Sequence, residues 1–132
     1  MKKILSFLII LICSFLLVSC EDVSNYQAFM LVQTQKDNEL TVSFEKLKGT
    51  FIKKINNTNK SDGEIYYEIS CESGSYEIYY KSLGEKELLV SINEGEEIKS
   101  TGGYVDSLDD VTIYIVAKEG AKGKIKIYLV WF

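Results

Sequence analysis

Histidine, arginine and proline are all missing from these 132 residues. Without histidine the chain lacks the commonest general base and the commonest metal ligand together. Without arginine it has no planar fork to grip carboxylate or phosphate through two parallel hydrogen bonds, and all 15 basic residues are lysines. Without proline, sheet edges must be protected by other means, and outward lysines such as Lys124 and Lys126 suit that task. Serine nucleophiles have no histidine partner, and no serine–lysine motif replaces it. Cysteine is limited to Cys13, Cys20 and Cys71.

What is present begins at the N-terminus. Met1-Lys2-Lys3 precedes an apolar run from Ile4 to Val18, then small residues and Cys20. A basic start, a short hydrophobic segment and small residues before a cut describe a secretory signal. A membrane-spanning helix needs about 20 apolar residues; this run offers 15, broken by Ser6, Cys13 and Ser14, and is followed by acidic Glu21 and Asp22. The stretch Leu17-Val18-Ser19-Cys20 resembles the lipobox of bacterial lipoproteins, in which a diacylglyceryl group is attached to the cysteine and a peptidase cleaves just before it. The resemblance implies a signal peptide over 1–19, lipidation of Cys20 and a polar tether over 20–25. It places the chain outside the cytoplasm, with the cell membrane as its partner through two acyl chains, enough for stable attachment where one is marginal.

Residues 26–132 then suffice for one domain with a single core. Setting aside Lys2 and Lys3 takes the lysines from 15 to 13 against 19 acids, and the net charge from −4 to −6. That balance argues against nucleic acid and anionic headgroups as primary partners. With Cys13 removed and Cys20 acylated, Cys71 stands alone and no intrachain disulfide can form. It falls in phase with Ile65, Tyr67 and Ile69, so the spacing predicts a buried small hydrophobe rather than a reactive thiol.

Period-two alternation dominates from Tyr26 onward and predicts half-buried strands. Leu40, Val42 and Phe44 form one inward set; Ile65, Tyr67, Ile69 and Cys71 a second; Tyr76, Ile78 and Tyr80 a third; Leu88, Val90 and Ile92 a fourth. Val111, Ile113, Ile115 and Ala117 oppose Thr112, Tyr114, Val116 and Lys118, and Ile125, Ile127, Leu129 and Trp131 oppose Lys124, Lys126, Tyr128 and Val130. Shorter strands are expected over 28–35, 49–55 and 96–101, although the mixed apolar run from Tyr26 to Gln35 also fits a short helix. Glu72-Ser73-Gly74-Ser75 reads as a hairpin loop setting Ile69 against Ile78 and Tyr67 against Tyr80. Glu119-Gly120-Ala121-Lys122-Gly123 reads as a second hairpin loop, and Gly102-Gly103 as a turn. The expected fold is all-β, an antiparallel β-sandwich of about 7–9 strands. An aromatic-rich hairpin with a Ser-Gly turn, followed by a final Gly-x-Ile-x-Ile strand, resembles small β-sandwich binding domains of secreted bacterial proteins, carbohydrate-binding modules among them. The resemblance is one of pattern, and no functional residue is carried over from it.

The tyrosines supply the candidate surface. Tyr66, Tyr79, Tyr114 and Tyr128 fall on the nominally outward faces of their strands, with Tyr114 and Tyr128 expected as neighbours in a C-terminal hairpin. Flat amphipathic rings on a rigid sheet suit sugar stacking or protein contact; the plainer account is that tyrosine favours strands and pairs across them. Asp106-Ser107-Leu108-Asp109-Asp110 gathers three carboxylates but lacks the spacing and glycine of a calcium loop, and reads as a solvated acidic loop. Glu68 and Glu77, if they share a sheet face, offer paired acids for glycoside hydrolysis, without any sign of a cleft. Asn56-Asn57-Thr58 and Asn59-Lys60-Ser61 match the glycosylation sequon, for which a bacterial lipoprotein normally meets no machinery. The sequence therefore predicts a non-catalytic binding domain for a glycan or a protein, with no cofactor and no metal. The alternative is a structural accessory subunit of an envelope assembly.

Overall fold

The computed structural model describes residues 24–132; the signal segment and Cys20 lie outside them. Eight strands follow in order: β1 (Asn25–Gln27), β2 (Met30–Lys36), β3 (Glu39–Ile55), β4 (Gly63–Ser73), β5 (Ser75–Lys81), β6 (Glu87–Asn93), β7 (Glu97–Val105) and β8 (Val111–Trp131). Every pairing is antiparallel, and the fold is the all-β sandwich that the alternation predicts. The ambiguous run from Tyr26 to Gln35 forms β1 and most of β2. Strand β1 opens inside the stretch expected as tether, where the Ser24 hydroxyl accepts the Ile52 N–H at 2.8 Å.

Two strands organise everything. β3 has 17 residues and β8 has 21, and both pass through both layers. The first layer runs β2, residues 39–44 of β3, residues 123–131 of β8, then β4 and β7. The second runs β1, residues 49–55 of β3, residues 111–117 of β8, then β5 and β6. At the bend between them Leu47 lies opposite Ala121 and Gly49 opposite Ala117, so three residues of β8 face one of β3. Such irregular pairing is how a strand turns a corner between sheets. Lys46 and Gly49 both take positive φ there, and a Cβ on Gly49 would meet the Asn25 carbonyl oxygen at 2.3 Å. Only glycine lets β1 close on the bend.

This arrangement corrects the expected turns. Glu119 to Gly123 is no hairpin loop but the bend of one continuous strand, whose inward phase is carried across by Ala117, Ala121 and Gly123, all buried. Glycines permit a bend as readily as a turn, so composition alone does not separate the two. Glu72 to Ser75 joins strands that do not pair: β4 bonds to β7 and β8, β5 to β6 and β8. Each prefers its own half of β8, with Ile69 opposite Ile125 and Ile78 opposite Ile115. The chain simply arches from one layer to the other. Gly102 and Gly103 lie within β7, where Gly103 leaves room for the Tyr80 ring, 3.0 Å from where its Cβ would stand. A register shift between Ile78 and Tyr79 turns Leu88 outward, while Ile92 stays in the core.

The layers close on one apolar interior. Phe44 from the first meets Tyr76 from the second edge to face, with ring centroids 5.1 Å apart. The Tyr76 hydroxyl crosses between layers to donate to the Ser70 carbonyl at 2.7 Å. Cys71 is buried as expected, its thiol donating to the Ser73 and Gly74 carbonyls and pushed up in pKa chiefly by loss of water contact.

Candidate functional site

The outward tyrosines do not form one patch. The structure divides them into two pairs on the two opposite outer faces of the sandwich. Tyr66 of β4 lies opposite Tyr128 of β8 in the first layer, and Tyr79 of β5 lies opposite Tyr114 of β8 in the second. Tyr114 and Tyr128, expected as hairpin neighbours, are separated by the bend of β8 and face different layers. Strand phase says which side of a strand a residue occupies; it does not say which layer the strand belongs to.

On the first face the rings of Tyr66 and Tyr128 stack at a tilt of 31°, with centroids 4.6 Å apart and both half-buried. The Tyr66 hydroxyl donates to Glu68 Oε1 at 3.1 Å, and lost water contact followed by that carboxylate raises its pKa above the usual 10. Lys126 Nζ lies 5.9 Å from the Tyr128 centroid and 3.9 Å from Glu39 Oε1. Register places Thr41, Lys126, Glu68 and Lys99 in one row across four strands, and Glu39, Tyr128, Tyr66 and Thr101 in the next. The aromatic slab is thus set in a lattice of alternating charge. A shallow trough lined by Thr41, Glu68, Ser70, Lys99 and Lys126 runs beside it.

The second face is built differently. Tyr114 is 5% exposed, so its expected outward position is only nominal. Lys86 Nζ sits 5.0 Å from the Tyr79 centroid and 5.1 Å from the Tyr114 centroid, covering both. The Tyr79 hydroxyl donates to Glu77 Oε2 at 2.5 Å; that bond, more than lost water contact, holds its pKa above 10. Ile52, Tyr114, Tyr79 and Leu88 form one row, and Lys54, Thr112 and Lys81 the next. Lys86 belongs to the connection before β6, where no strand period exists to point at it.

The remaining candidates resolve into structure. Glu68 and Glu77 lie on opposite outer faces, so they form no acid pair for hydrolysis. The carboxylates of the 106–110 loop are engaged with backbone: Asp106 accepts from Leu108, Asp109 from Leu83 and Asp110, and Asp110 from Asn57. Asn57, read only as a sequon, is a buried hub. Its amide donates to the Ser61 and Asp106 carbonyls, each at 3.0 Å, and its oxygen accepts from Trp131 Nε1 at 2.9 Å. Nothing in the local pattern marked it, because its partners lie up to 74 residues away.

No family model matches the chain, and no curated protein matches it. Solved structures do. A family 29 carbohydrate-binding module complexed with mannohexaose is 13% identical, over 83% of this chain and 87% of that one, with a TM-score of 0.47. Drosophila melanogaster CENP-C bound to CAL1 is 11% identical, over 81% and 79% of the two chains, at 0.34. The cumin domain of the same CENP-C is 14% identical, over 85% and 80%, at 0.28. At these scores the side chains, and not the neighbours, decide what the surface can hold.

Proposed function

We propose that this chain is a non-catalytic binding domain, anchored by acyl chains on Cys20 to the cell membrane outside the cytoplasm, that holds a glycan on its first outer face. The observation that carries the glycan reading is the stacked Tyr66–Tyr128 pair, half exposed on a five-stranded layer. Two rings held by backbone pairing lose little entropy on binding, and their faces suit the apolar side of a sugar ring. Glu68, Lys126 and Thr101 stand around the slab as acceptors and donors for sugar hydroxyls. The anchor rests on Leu17-Val18-Ser19-Cys20.

The test is retention of the full chain on neutral cell-wall polysaccharides. Tyr66→Ala with Tyr128→Ala should abolish retention while the melting temperature stays within a few degrees. Unchanged retention would reject the slab as the site. Separately, Cys20→Ser should block lipid labelling and leave unprocessed precursor; normal processing and membrane attachment would reject the anchor.

A second reading, an accessory subunit of an envelope assembly, is favoured by β2. Among the described residues it pairs with β3 along one side only, and it carries Met30 and Val32 exposed, with Phe29 beside it 77% exposed. A bare strand edge with apolar side chains is a surface for another chain. Capture of one defined envelope protein by the wild type, lost on Val32→Lys, would establish this role instead.

A further inference from the structure

We infer that the second outer face carries a separate site for an anionic polymer of sugars or polyols bearing carboxylate or phosphate, bound by Lys54 and Lys81 around Thr112 with Lys86 in the adjacent row. The site is independent of the Tyr66–Tyr128 slab and lies on the opposite side of the sandwich.

The placement follows from pairing. Lys54 of β3 and Lys81 of β5 flank Thr112 of β8 in one cross-strand row. Strands lie about 4.8 Å apart, so the two lysine stems rise roughly 10 Å from one another with a hydroxyl between them. The adjacent row holds Tyr114 and Tyr79, and there Lys86 is fixed over both rings. Cation–π contact of this kind localises an ammonium without neutralising it. Three positive charges therefore share one small area of a chain whose net charge is −4.

These lysines are also chemically available. At the bend of β8 Lys122 pairs with Glu45 and Glu72, and on the first face Lys126 pairs with Glu39. Among the described residues Lys54, Lys81 and Lys86 form no ion pair. The acid on their own face, Glu77, already accepts the Tyr79 hydroxyl. Lys54, Lys81 and Thr112 line a concave groove with Ile52 and Asn56, and the one carboxylate at its rim, Asp109, accepts the Leu83 and Asp110 N–H groups. A groove in which ammoniums outnumber its single carboxylate and stand beside neutral hydrogen-bonding groups fits a ligand that alternates negative charge with hydroxyls. Lysine heads bind as hydrated point charges rather than clamps, so affinity comes from several contacts at once and falls steeply with salt.

The experiment is binding of the full chain to immobilised polygalacturonate, to poly(glycerol phosphate) and to a neutral dextran, at about 20 mM and about 500 mM salt. Retention on an anionic polymer at low salt, absent on dextran and lost at high salt, is expected; which anionic polymer binds more tightly identifies carboxylate or phosphate as the source. Lys54→Gln with Lys81→Gln should weaken that binding at least tenfold at an unchanged melting temperature. Tyr66→Ala with Tyr128→Ala should leave it intact, which separates this site from the slab. The inference is overturned if neither anionic polymer is retained at low salt, or if the lysine variant binds as tightly as wild type. It is equally overturned if the Tyr66 and Tyr128 variant loses the anionic polymer too, or if single-stranded DNA binds as well as either.

Discussion

The two outer faces of this sandwich start from the same materials and end with different chemistry. Each places one tyrosine of β8 opposite one from a neighbouring strand, Tyr128 with Tyr66 and Tyr114 with Tyr79. On the first face the rings lie against each other, and Lys126 beside them pairs with Glu39. On the second a lysine lies over both rings, and unmatched ammoniums fill the next row. A tyrosine pair is thus not a function in itself. The residues one row away decide whether it is an open platform or the seat of a charge.

The comparison is most strongly tested by damaging what the faces share. Phe44→Ala removes the ring that meets Tyr76 between the layers and should cost about 4 kcal/mol. Both faces should then weaken together, and Cys71 should react with a thiol reagent about a thousandfold faster, since each 1.4 kcal/mol is a factor of ten. Wild-type Cys71 should react only through unfolding; rapid native labelling would mean that the thiol is not buried.

Alkaline pH probes the same interior more gently. Burial holds the Tyr76 pKa far above its ordinary value of 10. A group raised in the folded state contributes fully below its unfolded pKa and loses that contribution as pH climbs towards the folded one. Stability should therefore fall from about pH 10 upward, by about 1.4 kcal/mol per pH unit for this one group. Tyr76→Phe should cost about 1 kcal/mol at neutral pH through the lost bond to Ser70, and should flatten the alkaline slope. Melting curves of both proteins between pH 8 and 11 decide it; parallel slopes would remove Tyr76 from the account.

Single-face changes come last. Lys86→Ala should cost about 0.5–1 kcal/mol and open Tyr79 and Tyr114 to solvent perturbation of their absorbance, leaving Tyr66 and Tyr128 as they were. Lys122→Met should lower the melting temperature slightly at low salt and not at all in about 1 M salt, because exposed pairs are screened. An equal loss at both salt levels would show that the lysine stem, not its charge, does the packing.

Much of the inward side of this fold was legible. Ile65, Tyr67, Ile69, Cys71, Ile113, Ile115, Ile125 and Ile127 all lie where alternation puts them. Pairing was not legible, because alternation reports the side of a strand and says nothing of its neighbour. The sequence therefore suggested adjacent hairpins where the chain crosses between layers at Gly74 and bends at Glu119 to Gly123. The candidate site shares this limit: all four tyrosines were identified by phase, yet their division into two pairs, and the lysines around one of them, depend on contacts among distant segments.

β8 is the last described strand to be made, and it is central in both layers. Until residues 111–131 emerge, β4 and β5 lack their inner partner and β3 has nothing on its second side. Neither layer can close first and wait for the other. A nascent chain of this design stays open until residues 111–131 have emerged and then gains its whole interior in one event, so that its earlier strands remain threadable up to that point.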